Sequence, residues 1–109
     1  MGQVASEYKK VCIVEDKTDL REGMSMMIEM SEHYLLSGSF ANAEEALKKI
    51  PEIQPDAVLM DINLPGQSGI ACVSALKLMI PEIQFLMCTA YEDNEKIFNS
   101  LKAGASGYI

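Results

Sequence analysis

Residues 55–69 read Pro55-Asp56-Ala57-Val58-Leu59-Met60-Asp61-Ile62-Asn63-Leu64-Pro65-Gly66-Gln67-Ser68-Gly69. The apolar run from Ala57 to Met60 is short and unbroken, so it reads as a strand. It delivers Asp61 at its carboxyl end, and Asn63 to Gly69 is a loop by composition, punctuated by Pro65, Gly66 and Gly69. The same pattern recurs outward along the chain. Val11-Cys12-Ile13-Val14 is a β-branched run closed by Glu15-Asp16, and Tyr34 to Phe40 is a second strand. Phe85 to Cys88 is a fourth strand ending at Thr89, and Gly107-Tyr108-Ile109 opens a fifth.

Helical patterns fill the gaps. Leu20, Met24, Met27 and Ile28 recur at helical spacing, with Asp16 or Thr18 to cap the start. Asn42 to Glu45 forms a capping box for a helix that buries Ala43, Ala46, Leu47 and Ile50 before Pro51 and Pro55. Ile70, Val73, Leu76 and Ile80 line a third helix; Ile97, Phe98 and Leu101 mark a fourth that Gly104 terminates. Strands alternating with helices predict an α/β fold, a flavodoxin-like doubly wound parallel sheet in the order 2-1-3-4-5. In that order Glu15, Asp16 and Asp61 share a crevice at the carboxyl edge, and Thr89 reaches the same edge.

The chain has 109 residues, about half of them apolar and about a quarter charged, which suits one domain with one core. No apolar stretch is long enough for a membrane span, and the first ten residues are too polar for a signal peptide, so the expected compartment is the cytoplasm. A net charge of −7 argues against direct nucleic-acid binding by this segment. Cys12, Cys72 and Cys88 lack ligand spacing and read as small buried hydrophobes, and His33, the only histidine, reads as an exposed loop residue.

Carboxylates about 4 Å apart repel by roughly 4 kcal/mol per pair at an effective dielectric of about 20, and a hard divalent cation relieves that. Mg2+, which takes a few carboxylates and keeps several waters, fits such a site. Asp16 and Asp61 are assigned as direct ligands, Glu15 as a ligand directly or through water, and the backbone carbonyl of Asn63 as a further donor. Asp61, alone at its strand end, is the candidate nucleophile toward a phosphoryl group. Thr89 can donate its hydroxyl to a phosphoryl oxygen.

Taken together, Val14-Glu15-Asp16, the block from Pro55 to Gly69, Thr89-Ala90 and the segment from Lys102 to Ile109 make the chain resemble the receiver domain of bacterial two-component response regulators. Leu20-Arg21-Glu22-Gly23 and the Ala-Gly-Ala-Ser-Gly-Tyr ending look most like the NarL/FixJ branch. The resemblance implies that a partner histidine kinase phosphorylates Asp61 with Mg2+, that Thr89 moves toward the phosphoryl group, and that Tyr108 turns inward. It further implies an output domain on the full-length protein, expected to be a DNA-binding helix-turn-helix that regulates transcription, and no independent turnover of a small molecule. The family's lysine is expected three positions beyond Tyr108, whereas the sequence ends at Ile109. The expectation is therefore a leader over residues 1–10 and a receiver over 11–109, truncated before that lysine, the fifth helix and the output domain. Such a chain is expected to bind the ion yet switch poorly, and to form a homodimer through the uncovered face.

Rival chemistries fit less well. A haloacid-dehalogenase-type phosphatase needs a second aspartate where Asn63 stands, a flavodoxin-like carrier needs a hydroxyl-rich loop where Asp16-Lys17-Thr18-Asp19 stands, and a GTPase needs a P-loop motif that is absent. A receiver-fold interaction module that signals without phosphorylation is the remaining alternative.

Overall fold

The computed structural model describes residues 8–66 and 68–88, together with the backbone of residues 107 and 108. Strands β1 (Lys9–Val14), β2 (Tyr34–Phe40), β3 (Ala57–Asp61), β4 (Gln84–Cys88) and the two-residue β5 (Gly107–Tyr108) form one sheet in the order β2-β1-β3-β4-β5. Every pairing is parallel, with Val14 beside Met60 and Asp61 beside Cys88. Helices α1 (Thr18–Glu29), α2 (Ala43–Ile53) and α3 (Gly69–Met79) make the crossovers between the first four strands. The predicted doubly wound sheet is present. The fourth helix of the sequence reading lies outside the described residues.

Strand pleating sends alternate side chains to opposite faces. Cys12, Val14, Val58, Met60, Phe85 and Met87 meet Ala43, Ala46 and Ile50 of α2 and Cys72, Val73 and Leu76 of α3 in the main core. On the other face Val11 and Ile13 meet Ile28 and Met24 of α1, with Leu36, Ala57 and Leu59 only partly covered. Fully burying a Phe85 or Ile13 side chain stabilises the fold by about 1.5–3 kcal/mol, so these two layers hold the strand ends in place.

Three local expectations are corrected. Leu20 and Met27, two of the four apolar residues whose helical spacing marks one apolar stripe, are 51% and 75% exposed. Met27 sits about 100° around the helix from Ile28, off the line that touches the sheet, and Leu20 is half-exposed in the first turn. Neither Asp16 nor Thr18 caps α1: Lys17 is the N-cap and no side chain makes the bond. Asp16 is held in a carboxylate cluster instead, and Thr18 is already helical. The second helix also runs through Pro51 to Ile53 rather than stopping before it. Proline there is in the last turn, where the missing N–H costs one terminal bond. The Asn42 cap is as expected, accepting from Glu45 N at 2.8 Å while its Nδ2 donates to Glu45 Oε2 at 3.3 Å.

Candidate functional site

Because β1 and β3 are parallel neighbours, their carboxyl ends leave the sheet side by side. Glu15 follows β1 directly, Asp16 follows it, and Asp61 closes β3; carboxylate oxygens of all three lie within 4.8 Å of one another. Glu15 is 2% and Asp61 7% exposed, and Asp16 is partly buried. The predicted acidic trio is therefore brought together.

Backbone bonds hold these groups. Glu15 N donates to Phe40 O at 3.0 Å, and Lys17 N donates to Glu15 Oε2 at 3.1 Å. The carbonyl of Glu15 accepts from Arg21 Nη1 at 2.8 Å, so the first turn of α1 reaches back to steady the acidic pair. Asn63 N donates to Asp61 Oδ1 at 3.1 Å, turning the chain directly after the strand. Ile62 N donates to Cys88 O at 3.3 Å and Gly69 N to Ile62 O at 3.0 Å, which ties the loop to β4 and to the start of α3. Ser68 caps that helix, its Oγ accepting from Ala71 N at 3.2 Å.

Two glycines make the loop possible. Gly66 has a φ of +77°, a left-handed conformation that side chains rarely adopt. A Cβ on Gly69 would lie 1.9 Å from the carbonyl oxygen of Asp61, so α3 begins against the backbone of the acidic residue itself.

The electrostatics are unfavourable by construction. Burial pushes the Glu15 carboxyl up; the Lys17 N–H pulls it back, and Asp61 and Asp16 add to the rise. Burial likewise pushes Asp61 up, the Asn63 N–H opposes this, and Asp16 adds to it. Oδ1 of Asp16 is buried with no hydrogen-bond partner. An orphaned carboxylate oxygen facing two further carboxylates fits a cation, and an all-oxygen set of this kind suits a hard one. Cys88 is no ligand in waiting: burial first, then Asp61 and Glu15, push its thiol up to about 11. Cys12 and Cys72 are buried, at about 11 and about 12, in line with their reading as core residues.

Of the other predicted site residues, Asn63 stands at the cluster's edge through its N–H. Thr89 lies outside the described residues. Tyr108 is in β5, with its backbone paired beside Met87; its side chain is not described. Two contributors escaped the sequence reading. Arg21 acts six residues from Glu15, a separation no local pattern flags, and Gly69 acts by lacking a side chain. A glycine opening a helix that Ser68 already caps was the one available signal for the latter.

Comparison with known proteins gives the following. The response regulator receiver domain family matches residues 11–109. The transcriptional regulatory protein LnrK of Bacillus subtilis (strain 168) is 33% identical over 100 residues, covering 92% of this chain and 46% of LnrK. The chain thus spans about half the length of that curated relative. A two-component response regulator of the LuxR family from Aurantimonas sp. SI85-9A1 superposes with a TM-score of 0.88 at 31% identity, over 93% of this chain and 72% of that one. The CheX-CheY-BeF3-Mg2+ complex from Borrelia burgdorferi superposes at 0.85 with 26% identity, over 93% and 76% of the two chains.

Proposed function

The chain belongs to the response regulator receiver domain family, in its NarL/LuxR branch, and from that premise we propose that Asp61 accepts a phosphoryl group from a histidine kinase in a Mg2+-dependent reaction. One observation carries this most: a buried carboxylate, fixed by the Asn63 N–H at Oδ1, lies within 4.8 Å of Glu15 and Asp16. Glu15, Asp16, Asp61 and the Asn63 carbonyl would hold the ion. When bound, Mg2+ supplies positive charge against the oxygens of the transferring group.

Asn63 orients Oδ1, so attack on phosphorus is assigned to Asp61 Oδ2. The new oxygen–phosphorus bond forms as the nitrogen–phosphorus bond of the phosphohistidine breaks, and the imidazole nitrogen leaves with the electron pair. Arg21, by gripping the Glu15 carbonyl, keeps the acidic pair from recoiling as charge arrives. Thr89 and Tyr108 are proposed to read the product, the first by a hydrogen bond to the phosphoryl group and the second by turning inward. On the whole protein the readout is proposed to be DNA-binding transcriptional regulation; the name of LnrK describes that relative as a transcriptional regulatory protein.

Intact-mass analysis after treatment with acetyl phosphate and Mg2+ tests the reading. One added phosphoryl group is expected on the wild type, none on Asp61→Asn, and none with excess EDTA. No gain on this chain or on a version extended through the expected lysine position would overturn it and favour a module that signals without phosphate.

A further inference from the structure

The three carboxylates of the acidic cluster are not held alike. Glu15 Oε2 accepts from Lys17 N at 3.1 Å and Asp61 Oδ1 accepts from Asn63 N at 3.1 Å, so each of these side chains is fixed by a backbone donor two residues on. Asp16 has no such donor among the described residues, and its Oδ1 is buried without a hydrogen-bond partner. A carboxylate in that position, crowded by two others, turns away unless its backbone prevents it. The orientation of Asp16 is therefore a property of the main chain.

At this point the main chain is one planar peptide unit, which joins the carbonyl of Glu15 to the N–H of Asp16. Its oxygen accepts from Arg21 Nη1 at 2.8 Å, so the guanidinium grips the link between the two acids and not a carboxylate. Arg21 is a firm base for that bond. It is partly buried in α1, its N donates to Lys17 O at 2.8 Å, and its carbonyl accepts from Ser25 Oγ at 2.8 Å. No side chain caps α1 at Lys17, so the turn from β1 into α1 depends on the bonds that Lys17 and Arg21 make to Glu15.

We propose that Arg21 is a positioning residue for Asp16: by fixing the peptide unit between Glu15 and Asp16, it aims the otherwise unheld carboxylate at the cation position and so sets the affinity of the site for Mg2+. The assignment rests on the reading of the cluster as an Mg2+ site. Its effect has the opposite sign to that of a simple charge. A guanidinium acting only as a nearby positive charge would repel Mg2+, and its removal would tighten binding. Loss of a group that orients a metal ligand weakens binding instead.

Calorimetric titration of the 109-residue chain with Mg2+, paired with thermal melts in EDTA, tests this. Arg21→Gln should weaken Mg2+ binding by about tenfold. In EDTA, the rise in melting temperature that Asp16→Asn brings to the wild type should fall by roughly half or more in the Arg21→Gln background, because a released Asp16 already turns out of the crowd. If Arg21→Gln does not fold, Arg21→Lys, which keeps the charge but not the planar fork, carries both readouts in the same direction. Unchanged or tighter Mg2+ binding, or an undiminished gain from Asp16→Asn, would overturn the assignment and leave Arg21 a purely structural residue. Neither arm involves phosphorylation and the second needs no metal, so failure here is told apart from failure of the phosphoacceptor reading, which the intact-mass result on the wild type decides.

Discussion

Asp56 and Asp61 bracket the same strand, and the molecule treats them in opposite ways. Asp56 is exposed and accepts from Lys10 N at 2.7 Å, so its charge meets water and a backbone donor that is otherwise at the strand's edge. Asp61 is 7% exposed, and the neighbours that share its pocket include two more carboxyl groups. One end of β3 uses an aspartate to secure the fold; the other confines an aspartate whose carboxyl is pushed up by burial and by Asp16. Stability lost at one end of a strand and kept at the other is what a functional site costs in an otherwise self-consistent domain.

The contrast can be broken or sharpened experimentally. The largest effect belongs to Gly69→Ala, which places a methyl group against the Asp61 backbone. It should cost about 3 kcal/mol in denaturant unfolding and weaken Mg2+ binding, because relief has to come from moving the acidic strand end. Next is Asp16→Asn without metal. Removing one crowded carboxylate should raise stability by about 1–2 kcal/mol and abolish Mg2+ binding, read by thermal melts in EDTA and by calorimetric titration; a lower melting temperature would mean that the cluster is not repulsive. Asp56→Ala should do the reverse on a smaller scale, lowering stability by about 0.5–1 kcal/mol with Mg2+ binding unchanged.

A pH dependence tests the origin of the second effect. The folded forms of Glu15 and Asp61 hold protons more tightly than the unfolded chain does. Metal-free wild type should therefore lose stability as pH rises from about 4 through the raised folded values. In EDTA the gap between wild type and Asp16→Asn should close below about pH 4. A gap that is constant with pH would assign the crowding to shape and not to charge.

Much of this was legible in the residues themselves. The short unbroken run from Ala57 to Met60 read as a strand, and the parallel order placed Asp61 beside Glu15 without any tertiary information. Asn42 announced its helix because a capping side chain acts on a donor three residues away. What could not be read were effects set by distance in space. Whether Met27 faces the sheet or the solvent depends on how far α1 rolls, a matter its own spacing leaves open. The same holds for Asp16, which local rules offered to α1 as a cap and which the folded chain commits to the cluster. Arg21 and Gly69 belong to this class as well, one acting through a backbone carbonyl six residues away and the other through an absent methyl group.

The close seat of Gly69 on the Asp61 carbonyl has one more implication. With Ile62 bound to Cys88 on one side and to Gly69 on the other, the backbone of β3 at Asp61 has no slack. A group attached to the Asp61 side chain cannot be accommodated by letting the strand sink back into the sheet. The joint between β3 and α3 is thus an abutment, in which the start of one helix is seated directly on the backbone that carries the acidic side chain.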